Sequence, residues 1–475
     1  MAGSLQATPT FALQPSAQQV PLATNYITNF DFLNQYLPDT YEKEFERYGN
    51  RTISSFLRMV GAEIPSNSDL VKWAEQGRLH IKYTDVGVAA SVNQDTATFQ
   101  VNDTGVPAFG ANNDIAVRVG QTIMVINNDG SGAYKAIITA VDLPNDQFDV
   151  AFYNAAGYTG GTGLASADVT IFIYGSEFKK GTNGMQGSLE ADDEIFENSP
   201  IILKDKYAVN GSDMAQIGWV EVTTENGATG YLWYLKSEHE TRLRFEDYLE
   251  TSMIEAVPAE AASGAIAADF KGTDGIFYSV ENRGNVWSGG NPSSLAEFDT
   301  IISRLDKQDA IEENVIFLDR DFGFDIDDML AAQNSYGVGG TSYGLFDNDE
   351  NMALNLGFTG FRRGYDFYKT DWKYLNDPTM RGGLPTAAGS GKVNGLLVPA
   401  GTTTVYDQVL GKNAKRPFLH VRYRASQTED RKMKTWITGS AGGAATSDLD
   451  AMEVNFLSER CVCTMGANNF FLFEQ

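Results

Sequence analysis

Carboxylates are the most abundant ionisable side chains in this chain, 62 against 36 lysines and arginines, so they are tested first for chemistry. The run LDRDFGFDIDD places Asp319, Asp321, Asp325, Asp327 and Asp328 close together. An Asp-Phe-Gly triplet can hold magnesium in a kinase, but no glycine-rich nucleotide loop or His-Arg-Asp segment accompanies it. Its spacing also misses the calcium-loop pattern. DNDENMALNLGF matches the first three ligand positions of such a loop from Asp347. It then places Met352 where glycine is required and Phe358 where glutamate is required. Both runs therefore read as solvated acidic loops. Paired carboxylates can also serve glycoside hydrolysis, but among 62 acidic residues close pairs are expected by chance.

Other chemistries have less support. His80, His239 and His420 are far apart, and no Cys-x-x-Cys occurs, so zinc has no ligand set. Cys461 and Cys463 stand two apart in CVC, on one face of a strand, and read as small core residues in a reducing compartment. No Gly-x-Ser-x-Gly, Walker loop or dinucleotide fingerprint appears. No nucleophile, base and oxyanion site can be assembled. The expectation is a protein without enzymatic activity, with no catalytic residue, cofactor or metal.

One basic concentration stands out, KNAKRPFLHVRYRASQTEDRKMK. It contributes Lys412, Lys415, Arg416, Arg422, Arg424, Arg431, Lys432 and Lys434. Alternation puts His420, Arg422 and Arg424 on one strand face and Leu419, Val421 and Tyr423 on the other. Lys432 and Lys434 share a face of the expected partner strand. This patch suits nucleic acid or a neighbouring subunit's carboxylates. With a formal net charge of -26, the second is favoured.

These groups must be positioned by elements read from period and punctuation. Residues 1–30 are polar and small and carry no helical period, which suggests an extended arm. No Lys or Arg precedes Lys43, so this arm cannot neutralise RNA. The first twenty residues lack the charged start and apolar core of a secretory signal, and no stretch is apolar enough to span a bilayer. Residues 39–80 read as mostly helical, with SNSDLVKWAEQG as a short helix behind Ser66 or Ser68. From about residue 81 the period becomes two, and residues 84–175 read as a small β-barrel. The polar, glycine-rich run from EFKKGTNG onward reads as a long projecting hairpin.

Next comes GYLWYLKSEHETRLRFEDYLETSMIEAV, an unbroken rod about 40 Å long at ~1.5 Å per residue. Leu232, Leu235, His239, Leu243, Leu249, Met253 and Ile254 fall near one stripe, so the rod should brace a sheet. Glu238–Arg242, Glu240–Arg244 and Arg242–Glu246 are i, i+4 pairs. Further on, Ser294 and Glu297 form a capping box ahead of Leu295, Phe298, Ile301, Ile302 and Leu305. NVIFLD reads as a buried strand, DIDDMLAAQNSYG as a short helix, and the remaining apolar runs complete a mixed sheet. The class is α+β.

The run ENSPIILKDKYAVNGSDMAQIGW followed by the rod resembles the stretch in tailed-phage major capsid proteins where an extended loop returns as a strand and enters the spine helix. The order of elements is similar too. Over the whole chain the sequence resembles the crAss-like, Bacteroides-infecting phage type. The resemblance implies the Hong Kong-type capsid fold, with an inserted all-β module. It assigns 1–40 to the N-terminal arm, 41–83 to a helical segment and 84–175 to the insertion. It assigns 176–229 to the extended loop, 230–264 to the spine helix of the peripheral domain, 265–425 to the axial domain and 426–475 to returning strands. It implies self-assembly into pentamers and hexamers of an icosahedral head around double-stranded DNA, bound without sequence specificity. Portal, scaffold and head-decoration proteins are implied partners, the virion is the implied location, and assembly would occur in the host bacterial cytoplasm without a membrane. The eight cations above become a subunit-contact or inner-surface patch. Lys179, Lys180 and Lys204 become the extended-loop lysines that some relatives crosslink. The alternative from a different class is a carbohydrate-active enzyme or glycan-binding β-rich protein.

Overall fold

The computed structural model describes residues 56–57, 62–93, 96–101, 115–130, 132–155, 158, 169–189, 193–215, 222–223, 229–230, 233–333, 359–385, 391–407, 412–443 and 445–475. The arm at 1–40 and the acidic run at Asp347 lie outside them. The chain divides into two units, one formed by residues up to 73 and from 196 onward, the other by 74–195.

Of the helix expected before residue 60, Phe56 and Leu57 are described and are helical. The second helix expected there is absent. In its place stand strands β1 (Ala62–Ser66) and β2 (Val71–Gln76). In VKWAEQ, Val71 is buried and Trp73 half-buried while Lys72, Ala74 and Gln76 are exposed, a period of two that outweighs the cap signal. The serine is used for a turn instead. Ser68 Oγ donates to the Leu70 carbonyl at 2.8 Å and accepts the Leu70 N–H at 3.2 Å.

The unit at 74–195 is built on six strands: β3 (Lys82–Asn93), β4 (Thr96–Val101), β5 (Gln121–Asn127), β6 (Ala133–Asp142), β7 (Gln147–Phe152) and β8 (Val169–Ser176). They close as a barrel in the order β3-β4-β7-β6-β5-β8. Alternate residues point inward, so Val86, Phe99, Ile123, Val125, Phe148 and Ile171 make its core. Closure leaves no free edge to aggregate.

After the barrel come β9 (Asp193–Asn198) and β10 (Ile201–Asn210). The expected single hairpin over 176–229 is corrected here, because among the described residues its limbs do not pair with each other. β9 pairs with β2, and β10 runs antiparallel to the late strand Ala451–Thr464, Ile201 opposite Arg460. The alternating faces of β10 explain this choice: Leu203 and Val209 pack inward, Ile202 and Lys204 outward.

Helices α1 (Gly211–Met214) and α2 (Trp233–Glu255) follow, around short strands β11 (Val222–Thr223) and β12 (Thr229–Gly230). The 23 residues of α2 give a rod of about 35 Å. Its buried face differs from the expected stripe. Phe245, Leu249, Met253 and Ile254 are buried, whereas His239 is exposed and Leu235 and Leu243 are half-buried. Phe245 stacks on Phe456 at 5.8 Å, which sets the rotation of the rod on its sheet. Of the expected ion pairs, Arg242–Glu246 closes to 3.6 Å, and Lys236–Glu240 adds one at 3.9 Å.

The remaining elements are α3 (Gly264–Ala267), α4 (Ile276–Arg283), β13 (Asn285–Trp287), α5 (Leu295–Lys307), β14 (Glu313–Leu318), α6 (Arg320–Gln333), β15 (Gly360–Arg363), β16 (Tyr365–Asp371), α7 (Lys373–Asn376), β17 (Val393–Pro399), β18 (Thr402–Asp407), β19 (Lys412–Pro417), β20 (Leu419–Arg424), β21 (Lys434–Gly439), β22 (Ala451–Thr464) and β23 (Phe471–Glu474). Two sheets organise them. One has the order β1-β20-β22-β10, with β21 also on β22. The other is β13-β23-β17-β14-β16-β15. The capping box at Ser294 and Glu297 is formed, and Phe298, Ile301 and Leu305 of α5 bury against the second sheet. A joint core, including Met253, Ile254, Leu396, Leu419, Val462 and Leu472, draws on α2 and both sheets. The chain moves from the second sheet to the first at about Leu419 and returns at Phe471, so 426–475 serves both.

The acidic run LDRDFGFDIDD is not a solvated loop. It lies on the end of β14 and the first turns of α6. Asp319 is buried, accepts the Phe322 N–H at 2.7 Å as a cap, and lies 3.3 Å from Lys392. Asp327 pairs with Lys369 at 2.6 Å.

Candidate interaction surface

The eight cations of the basic run do not form one patch. Lys415 and Arg416 sit on β19, which pairs only with β18 among the described residues; the side chain of Lys412 lies outside them. Arg422 and Arg424 sit on β20, and Lys434 begins β21. β20 does not pair with β21. Both run along β22, with Tyr423 opposite Arg460 and Lys434 opposite Leu457.

Several of these cations find carboxylates within the chain. Arg424 pairs with Asp69 and reaches Glu459 at 3.4 Å. Arg431 meets Glu459 at 2.8 Å, Lys432 meets Glu63, and Lys434 meets Glu429 at 2.5 Å. Arg460, outside the expected set, joins them 3.5 Å from Glu63. The sequence reading missed Glu63 and Glu459 because they come from β1 and β22, hundreds of residues apart, and meet only through strand pairing. Lys432 and Lys434 also lie over the rings of Tyr423 and Trp436, at 5.5 and 5.7 Å.

The face bearing His420 and Arg422 turns inward. His420 lies opposite Cys463 and Arg422 opposite Cys461. His420 and both cysteines are buried, and the two thiols, unbridged, pack with Val71 and Trp73. The hydrogen bond to Cys463, and then burial, push the Cys461 thiol up, so it stays protonated.

Above this face the return of the chain from β9 is fixed by Asn198. Its amide donates to the carbonyls of Val462 at 2.6 Å and Asp274 at 3.0 Å. Its own carbonyl accepts from the Thr273 hydroxyl at 2.7 Å and from the N–H groups of Asp274 and Ser199 at 3.0 and 2.8 Å. Beside it the Arg283 guanidinium lies 4.2 Å from the ring centre of Phe196 and 5.6 Å from that of Trp73. These contacts tie Trp73, Phe196 and Asn198 to β22, to α4 and to the loop before it. No sequence motif announces them.

The lysines of the loop region lie elsewhere. Lys179 and Lys180 follow β8 in the irregular, exposed stretch 177–189, and Lys204 is exposed on β10 opposite Leu457. None of the three has a carboxylate partner among the described residues.

The C-terminal end of α2 forms a further polar junction. Glu255 takes a two-pronged contact from Arg381, at 2.6 and 2.5 Å, and accepts the Tyr374 hydroxyl. Burial and then Glu255 push the Tyr374 phenol well above its ordinary range. Thr379, Met380 and Leu384 line an open recess beside it. Its charged groups satisfy one another. Among the described residues no group of three or more His, Cys, Asp or Glu could hold a metal ion, and no helix is long and apolar enough to cross a membrane.

No family model matches the chain, and no curated protein matches it. Among solved structures it is similar to a chain of Microbacterium phage Oxtober96, with 9% identity and a TM-score of 0.38, covering 94% of this chain and 97% of that one. It is similar to the capsid of a native GTA particle, with 8% identity and a TM-score of 0.37, covering 94% and 99%. It is also similar to the holo-SrpI encapsulin complex from Synechococcus elongatus PCC 7942, with 9% identity and a TM-score of 0.33, covering 60% and 77%.

Proposed function

We propose that this chain is the major capsid protein of a tailed, double-stranded DNA phage, a non-enzymatic subunit of an icosahedral head built from pentamers and hexamers. The observation that carries the reading is the run 177–189. It has no regular structure, and its Phe178 and Leu189 are 42% and 41% exposed; Ile195, on β9, is 65% exposed as well. An extended segment that shows large apolar side chains to water gains by lying on another copy of the chain, at up to roughly 1.5–3 kcal/mol per side chain fully buried. Lys179 and Lys180 in the same run can meet carboxylates of that neighbour. The rod α2 supports the reading as well, because it ties the first sheet to the joint core and gives the subunit a stiff edge.

On this reading residues 1–40 are the arm, 176–229 the extended loop, 230–264 the spine, 265–425 the axial domain and 84–175 the insertion. The order and spacing of the sequence elements favour the crAss-like type. A net charge of -26 keeps the shell from adhering to packed DNA. Each contact between subunits can be weak, because closure repeats it many times. Portal, scaffold and decoration proteins complete the head, which is the protein's location.

Size exclusion and electron microscopy of the expressed protein test the proposal. Capsomers or megadalton particles are expected. A stable 51.9 kDa monomer under all conditions, with or without the products of neighbouring genes, overturns it.

A further inference from the structure

The barrel carries a feature that its fold does not need. The outer face of a small barrel is ordinarily polar. Here strand register places five residues in one outward row: Lys82 opposite Phe172, Phe172 opposite Met124, Met124 opposite Lys135, and the Tyr153 N–H on the Lys135 carbonyl at 3.1 Å. Cross-strand partners share a face, and the inward neighbours Ile171, Val125 and Ala136 are buried. The row crosses four strand spacings, roughly 19 Å. Tyr174 lies beside it, with Lys135 Nζ 5.7 Å from its ring centre. Tyr153 and Tyr174 are 50% and 49% exposed. At the edge the Tyr153 hydroxyl donates to Glu177 at 2.5 Å.

We propose that this row binds an acidic glycan chain. Exposed tyrosine rings offer flat apolar faces for the C–H side of a sugar ring, and their hydroxyls, Glu177 and Lys135 offer hydrogen bonds at the rim. Lys82 has no anionic partner among the described residues, and Lys135 lies over an aromatic ring, so both are placed to meet uronate-type carboxylates. The charge of the module argues against nucleic acid. Residues 74–195 hold six lysines and arginines against fifteen aspartates and glutamates, which repels a polyphosphate but tolerates a sparsely charged sugar. The area argues against a second protein. Half-exposed side chains of this number present roughly 400–500 Å², short of the ~800 Å² per partner that a stable protein interface buries. The proposal does not depend on shell assembly, although a shell would multiply a weak affinity by presenting many copies.

Binding of a hyaluronate hexasaccharide, which carries a carboxylate on every second sugar, of maltohexaose and of oligo-dT to the full chain tests the proposal, measured by calorimetry on both unassembled and assembled protein. Saturable binding of the hyaluronate oligomer is expected, weakening with salt and at least about tenfold tighter than maltohexaose. Tyr174→Ala and Tyr153→Ala should each lose about tenfold. Lys135→Glu should abolish the preference for the acidic sugar. All three sites are exposed, so unchanged circular dichroism and melting temperature verify the fold of each variant. The proposal is overturned by absence of saturable sugar binding, by equal affinity for the neutral sugar, by preference for oligo-dT, or by variants that alter self-association alone. Subunits that bind the acidic sugar but never assemble would end the shell reading and leave this one intact.

Discussion

Replacing Asn198 by alanine should loosen the base from which the barrel unit departs and to which the chain returns. Asn198 is 3% exposed and serves five partners. Four of these contacts join segments distant in sequence: those to the Val462 carbonyl, the Asp274 carbonyl, the Thr273 hydroxyl and the Asp274 N–H. Alanine removes the partner of each and admits no comparable group. A buried polar group left unpaired costs about 1–3 kcal/mol, and Thr273 can recover part by rotation, so a local loss of about 3 kcal/mol is expected. A chain of two units need not unfold in one step, so the assay should be local. Hydrogen exchange followed by mass spectrometry on peptides covering 196–203 and 270–276 reads the local opening. A 3 kcal/mol loss is roughly a hundredfold faster exchange there, with the barrel peptides unchanged. Asn198→Asp sharpens the test. Its carboxylate would face the carbonyls of Val462 and Asp274, so its pKa in the folded state is raised. Such a group contributes stability below its unfolded value of about 3.9, which is lost as pH rises through the folded value. The aspartate variant should therefore be most defective at neutral pH and approach the native protein on acidification. Exchange within threefold of native in both peptides for Asn198→Ala would refute the reasoning.

Three other outcomes follow from the packing. Ser294→Ala should cost about 1 kcal/mol by thermal melting, because it breaks the capping box of α5. The Ser293 N–H and then the Ser294 hydroxyl hold Glu297 below its ordinary range, so its contribution is present above the usual value of about 4.3 and lost as pH falls through the lower folded value; the melting difference between native and Glu297→Gln should vanish over that window. Lys392→Met should destabilise by roughly 3–5 kcal/mol in urea titrations, because it leaves Asp319 buried without its cation. Burial raises Asp319 despite Lys392, so the deficit should shrink on acidification, and adding Asp319→Asn should restore most of it at neutral pH. Phe245→Ala should cost roughly 3–5 kcal/mol, whereas Tyr248→Ala on the exposed side of the same helix should stay within about 0.5 kcal/mol. Equal losses at the two positions would mean that α2 is rotated.

Legibility in the sequence followed the range of the signal. The capping box of α5 needs four consecutive residues, and it is present as read. The alternation in QTIMVIN, AYKAIITAVD and QFDVAF declared strands because each repeats its pattern over its own length. The rod was evident from its length without glycine or proline, but its buried face was not. Leu243 and Phe245 are equally apolar, and the choice between them depends on Phe456, more than two hundred residues away. The helix expected at SNSDLVKWAEQG failed for a similar reason, since a six-residue segment has no stable conformation of its own and β2 adopts the one its pairing with β9 rewards.

The candidate surface was the least readable part. Eight cations close in sequence look like a patch, but they are divided between the two-stranded β18-β19 sheet and the first sheet, and carboxylates from β1 and β22 occupy several. The sequence alone determined composition, charge, the longer strand-forming and helix-forming segments, and the absence of any recognised catalytic motif, because these are local properties of the chain. The tertiary structure decided which strands pair, which face of α2 is buried, which cations are neutralised and which aromatic residues stand outside the barrel. Those outcomes depend on contacts between residues up to 397 positions apart, as between Glu63 and Arg460, and no local pattern encodes a partner at that distance.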